Sequence, residues 1–115
     1  MKIGSNISEA AVKAASAVSE PRLWQMLTDL AEFGARDDGG VERHALSAED
    51  IAARAYLIEK AEARGYELSV DAAANLWVRR PGREPQAEPV IAGSHMDTQP
   101  AGGRFDGAQK LRRAS

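Results

Sequence analysis

The residues best equipped for chemistry are Gly93-Ser94-His95-Met96-Asp97-Thr98 and, after a short interval, Gly102-Gly103-Arg104-Phe105-Asp106-Gly107. One imidazole and two carboxylates thus follow the apolar run Pro89-Val90-Ile91-Ala92-Gly93. A neutral imidazole binds zinc or manganese, and carboxylates complete many hydrolytic metal sites, so the chemistry on offer is metal-assisted hydrolysis. Residues two apart in an extended segment project to the same side, so His95 and Asp97 face one pocket, where the carboxylate can fix the tautomer and orientation of the ring. Glycines at 102, 103 and 107 let the backbone turn tightly enough to return Asp106 to that pocket, where a carboxylate can bridge two metal ions. A lone His-x-Asp is also common in ordinary loops, and spacing alone leaves both readings open.

The elements that must position these residues can be read from caps and periodicity. Residues 7 to 19 carry Ile7, Ala11, Val12, Ala15 and Val18 at roughly helical spacing in an alanine-rich, weakly amphipathic stretch. A better helix opens at Ser19 as N-cap with Pro21 in its first turn, shows Leu23, Leu27 and Leu30 on one face with Trp24 and Ala31 beside them, and stops at Gly34. Ala35 to Ala45 is polar, contains Asp37-Asp38-Gly39-Gly40, and reads as a loop in which His44 is solvated. Ser47 caps a third helix whose apolar face is Ile51, Ala55, Ile58 and Ala61 with Leu57 alongside, closed by Gly65. The period then changes to two: Tyr66, Leu68 and Val70 form one strand, and Asn75 to Arg80 a second extended run. Pro89 to Gly93 suits a buried strand with His95 at its carboxyl end, which is where α/β sheets bind ligands. Trp24 and Trp77 read as core or sheet-packing residues. The fold class is therefore α/β, helices followed by a β-hairpin and a buried strand.

Composition sets the outer limits. The 115 residues, 43% hydrophobic and 28% charged, allow one domain or part of one. A net charge of -2 argues against a nucleic-acid or anionic-membrane surface, and Arg112-Arg113 reads as a solvated tail. With no cysteine, neither a disulfide framework nor a thiolate site is available, and any metal must sit on nitrogen and oxygen. No apolar segment follows Lys2 as in a secretory signal and no run is long enough to span a bilayer, so a cytoplasmic location is the default expectation.

Five motifs, Arg22-Leu23-Trp24, Gly40-Val41-Glu42-Arg43, Ser47-Ala48-Glu49-Asp50, Asp71-Ala72-Ala73-Ala74-Asn75-Leu76 and Gly93-Ser94-His95-Met96-Asp97-Thr98-Gln99-Pro100, agree in order and spacing with one family. Over about residues 20 to 108 the chain resembles the dinuclear-metal amidohydrolases that include N-carbamoyl-L-amino-acid hydrolase, allantoate amidohydrolase and ureidoglycolate amidohydrolase, relatives of the zinc aminoacylases and carboxypeptidases. The resemblance implies the N-terminal part of an aminoacylase-like or zinc-peptidase-like catalytic domain. In that reading residues 1–20 are a leader or helix, 21–108 a partial catalytic α/β domain and 109–115 a divergent tail. It also implies two divalent ions, zinc or manganese, with His95 a ligand of one, Asp106 the bridging ligand and Asp97 the catalytic carboxylate that orients His95. The implied reaction is hydrolysis of a non-peptide C–N bond in a small carbamoyl or ureido compound, by a homodimer.

Two departures from the family pattern carry expectations of their own. Ala74 stands where the family usually has glycine, a change that strains a turn. After Ala108 the family continues with a glycine-led apolar helix and a Glu-Glu pair, one glutamate the general base and the other a ligand; this chain reads Gln109-Lys110-Leu111-Arg112-Arg113-Ala114-Ser115. Later histidine ligands and the inserted dimerisation domain are absent too, so this polypeptide alone is expected not to catalyse the family reaction. The rival expectation is a non-catalytic polypeptide that acts, if at all, by association, because an incomplete sheet leaves a bare edge and uncovered apolar faces.

Overall fold

The computed structural model describes residues 8–106; Ile7, Gly107 and the expected tail 109–115 lie outside them. Three helices precede one hairpin: α1 (Glu9–Ser16), α2 (Glu20–Glu32), α3 (Ala48–Glu62), β1 (Glu67–Val70) and β2 (Leu76–Arg79). Ser8 caps α1 by accepting from the Ala11 amide, yet no residue of α1 is buried.

Local chemistry accounts for the limits of α2 and α3. Ser19 Oγ accepts from the Arg22 amide at 3.4 Å, Pro21 sits in the first turn, and Leu27, Leu30 and Ala31 are buried. Gly34 follows the helix at φ +85°, and a Cβ there would lie 2.3 Å from the Glu42 carbonyl oxygen, so both the backbone angle and the close approach require glycine. Ser47 Oγ accepts from the Asp50 amide at 3.2 Å and opens α3; Gly65, at φ +71°, follows its end.

The inward face of α3 is displaced from the expected one. Asp50, Ala53 and Ala61 are buried, Leu57 and Ile58 are half-buried, and Ile51 and Ala55 face solvent. Asp50 sets the phase: its Oδ2 accepts from the Leu46 amide at 2.9 Å and from Arg54 Nε at 3.0 Å, which turns that side of the helix inward. Tyr56 joins α3 to α2, its hydroxyl donating to Asp29 Oδ2 at 2.8 Å and its ring 5.8 Å from that of Phe33. Burial and the Asp29 carboxylate push the Tyr56 phenol up to about 12.

The hairpin pairs β1 and β2 antiparallel in the register Glu67 with Arg79 to Val70 with Leu76, and α3 packs on β1. Asp71 organises the turn, accepting from the amides of Ala73 and Asn75, from Asn75 Nδ2 and from Trp77 Nε1 at 2.9 to 3.0 Å. Ala74 sits at φ +63°, the strained position expected from its replacement of glycine, and Arg54 Nη1 donates to its carbonyl at 2.6 Å.

Two further expectations are corrected. Pro89 to Gly93 lies in no strand, with Val90 fully exposed and Ile91 70% exposed. A buried strand needs partners along its edges, and the described residues offer only the two-stranded hairpin, which does not reach it. The tryptophans are not core residues either: Trp24 is 58% exposed and leans on Phe105 with ring centroids 5.7 Å apart, and Trp77 is exposed on the hairpin with its indole tied to Asp71.

Ala74→Gly should raise stability by about 1 kcal/mol in urea unfolding, because glycine enters the left-handed region without the Cβ penalty. The four bonds donated to Asp71, led by that from Trp77, lower its carboxyl from 3.8 to about 2. Its contribution is therefore complete above the ordinary carboxylate range and lost as pH falls from about 4 towards 2. Asp71→Asn should remove that acid limb from the pH profile of the melting temperature.

Candidate functional site

The site is framed by two loops, residues 34–43 and 95–106. Val41 is their meeting point, 1% exposed, bridged to Ala35 on one side and to Gly102 on the other, with its amide donating to the Gly102 carbonyl at 2.9 Å. Gly102 must be glycine here: a Cβ would lie 2.8 Å from the Thr98 Cβ and 3.0 Å from the Gln99 carbonyl oxygen. Farther along, Arg104 Nε donates to the Gly39 carbonyl at 2.7 Å and Phe105 packs on Trp24, so the second loop is held at several points along its length.

Arg43 is the hub. Only 2% exposed, it donates through Nη1 to the carbonyls of Leu30 and Phe33, at 2.7 and 2.8 Å, and through Nε to the carbonyl of Met96 at 2.9 Å. The first two acceptors are carbonyls at the C-terminal end of α2, so the guanidinium caps that helix where a positive charge is favoured. The third belongs to the residue next to His95. Burial pushes the Arg43 pKa down, while the charges of Asp50 and Asp97 act to raise it. Its backbone continues the connection: the Arg43 amide donates to Thr98 Oγ1 at 2.8 Å, Thr98 Oγ1 donates to the Val41 carbonyl at 3.1 Å, and the Thr98 amide donates to the Arg43 carbonyl at 2.7 Å.

On this frame His95 and Asp97 come together as the sequence leads one to expect. His95 Nδ1 lies 3.1 Å from Asp97 Oδ1 and 2.9 Å from the Asp97 carbonyl oxygen. Both neighbours are acceptors, so Nδ1 carries a proton, and in the neutral ring Nε2 is then the nitrogen left with a lone pair for a metal. Both side chains are part-exposed. Asp106 is not drawn into the same group: it is exposed, and among the described residues no three His, Asp or Glu side chains gather as a metal-holding cluster. His44 is solvated, its Nε2 3.3 Å from the Glu42 carboxylate.

Nothing local in the sequence marks Arg43 and Thr98 as partners. They bond across 55 positions of chain, and no local period marks such a pair. A faint signal existed in Gly40-Val41-Glu42-Arg43, where a β-branched apolar residue and an arginine alternate inside an otherwise polar loop.

No protein-family model matches the chain. Sequence comparison finds an N-carbamoyl-L-amino-acid amidohydrolase of Rhizobium meliloti, 40% identical over 90 residues, which cover 78% of this chain and 22% of the relative. It also finds an allantoate amidohydrolase of Bacillus subtilis, 35% identical over 79 residues, 69% of this chain and 19% of the relative. Among solved structures, a hydantoinase/carbamoylase family amidase from Burkholderia ambifaria superposes with a TM-score of 0.79 at 45% identity, covering 84% of this chain and 24% of the other. The chain thus spans about a fifth of the length of the curated relatives it matches.

Replacing Arg43 by leucine should cost about 3 kcal/mol or more, because three carbonyls lose their donor and at least part of that loss is buried. Arg79→Leu, which removes only an exposed ion pair to Glu67, should cost under about 1 kcal/mol. Urea unfolding of the two variants checks the contrast.

Proposed function

Because the chain belongs, over the segment matched, to the family of N-carbamoyl-L-amino-acid and allantoate amidohydrolases, we propose that it supplies part of a metal-dependent hydrolase site. The substrates are small carbamoyl or ureido compounds, and the bond cleaved is a non-peptide C–N bond. The observation that carries this reading is the His95–Asp97 pair, with a carboxylate on Nδ1 and Nε2 left as the ligating nitrogen.

In this proposal His95 would hold one divalent ion, zinc or manganese, and Asp106 would contribute a carboxylate ligand. A nitrogen and oxygen donor set of this kind suits either metal. Such ions polarise the scissile carbonyl and activate water at neutral pH. Asp97 keeps the ring in the ligating tautomer and adds negative charge behind it. These residues 95–106 are the part of such a site that the chain would supply.

A second reading rests on a separate observation. Val90 and Ile91 are exposed together beside Pro89, an apolar segment that favours association over catalysis. Sedimentation of the chain tests it: self-association that Ile91→Asp abolishes supports this second reading, and a chain that stays monomeric overturns it.

The direct test is a chimera in which residues 20–106 replace the matching segment of the Rhizobium meliloti relative. The chimera should hydrolyse an N-carbamoyl-L-amino acid, and His95→Ala in it should reduce kcat/KM by more than about a hundredfold. A His95→Ala chimera as active as its parent would contradict the proposal.

A further inference from the structure

We propose that Thr98 and Arg43 are positioning residues for His95, holding the backbone of residues 96–98 so that Nε2 of the ring points to a fixed place. This rests on the reading of His95 as a metal ligand and adds to it the part of the chain that aims the ligand.

Asp97 sets the ring's tautomer through Nδ1, but that pair points wherever the backbone of residues 95–98 carries it. Upstream, Pro89 to Gly93 lies in no strand, and the ring itself is part-exposed. Downstream, four hydrogen bonds of Met96 and Thr98 converge on Val41 and Arg43. The Met96 carbonyl accepts from Arg43 Nε, the Thr98 amide donates to the Arg43 carbonyl, and Thr98 Oγ1 spans the Arg43 amide and the Val41 carbonyl. Arg43 is in turn fixed to the end of α2 through Leu30 and Phe33, so the frame is anchored on a helix rather than on a loop. Thr98 is also the surface against which Gly102 closes, which places it between the His95–Asp97 pair and the return towards Asp106. A valine of similar shape would fill the same buried space without either hydroxyl bond, and serine would keep both bonds without the methyl. That pair of substitutions separates aim from packing.

The experiment compares the 115-residue chain with its Thr98→Ser, Thr98→Val and His95→Ala variants. Calorimetric titration gives the zinc affinity of each, and nitrogen chemical shifts give the tautomer of the His95 ring without metal. The indole resonance of Trp77, bonded to Asp71 in the hairpin, reports folding remote from the clamp. Thr98→Val should weaken zinc binding by about tenfold or more and shift the ring towards a mixture of tautomers. Thr98→Ser should retain both properties. The proposal is overturned if Thr98→Val keeps the parent's affinity and ring shifts, or if Thr98→Ser loses as much as Thr98→Val. His95→Ala tests the underlying reading separately. If it binds zinc like the parent, the ligand assignment falls and the proposal with it; if it loses binding while Thr98→Val does not, only the positioning role falls. Should Thr98→Val lose the Trp77 resonance and so fail to fold, amide exchange in the unsubstituted chain decides. Zinc should slow the Thr98 and Arg43 amides by at least about fivefold, as reciprocal coupling requires, while leaving the hairpin amides unchanged. No slowing at Thr98 and Arg43 overturns the proposal.

Discussion

A single buried guanidinium ties the structure together. Arg43 donates to the last turn of α2, to the peptide next to His95 and, through its backbone, to Thr98. A guanidinium suits this role because its rigid fork reaches several carbonyl oxygens at once and stays charged when buried. A lysine offers one compact charge and would satisfy fewer acceptors. The cost of burying that charge is offset only in part by three carbonyl dipoles and by the negative field of Asp50 and Asp97.

Around that hub the described residues bury few apolar side chains: Leu27, Leu30 and Val41, with Ala31, Ala53 and Ala61. Polar connections therefore take on much of the work of tertiary positioning. Asp50 phases α3, Asp71 shapes the hairpin turn, and Thr98 joins the two loops of the site. The division of labour has a functional sense. The ring of His95 stays part-exposed, as a ligand must before it meets a metal, while the backbone beside it is held by buried bonds.

How much of this was legible in the sequence depends on the range of the interaction responsible. The caps at Ser19 and Ser47, the stops at Gly34 and Gly65 and the hairpin strands are set by neighbours a few residues away, and their signals are local. The pairing of His95 with Asp97 is local too, two residues apart. The buried face of α3 differs in phase from its apolar pattern because Asp50, a charged residue, turns inward where that pattern points to Ile51. The run from Pro89 to Gly93 has a strand's composition, but a strand forms only against other strands, and the described residues place none beside it. Arg43 and Thr98, far apart in the chain, could be joined only by the fold.

The central claim is that this frame presents Nε2 of His95, with Asp97 on Nδ1, to a divalent ion. Anomalous scattering from crystals of the chain soaked in manganese tests it most directly. The account predicts an ion at a coordination distance of about 2 Å from His95 Nε2, with the Asp97 carboxylate still on Nδ1 and the bonds of Arg43 to Met96 and Thr98 intact. An ion bound through Nδ1 with Asp97 turned away, or held by other residues while the His95 ring points elsewhere, would contradict it.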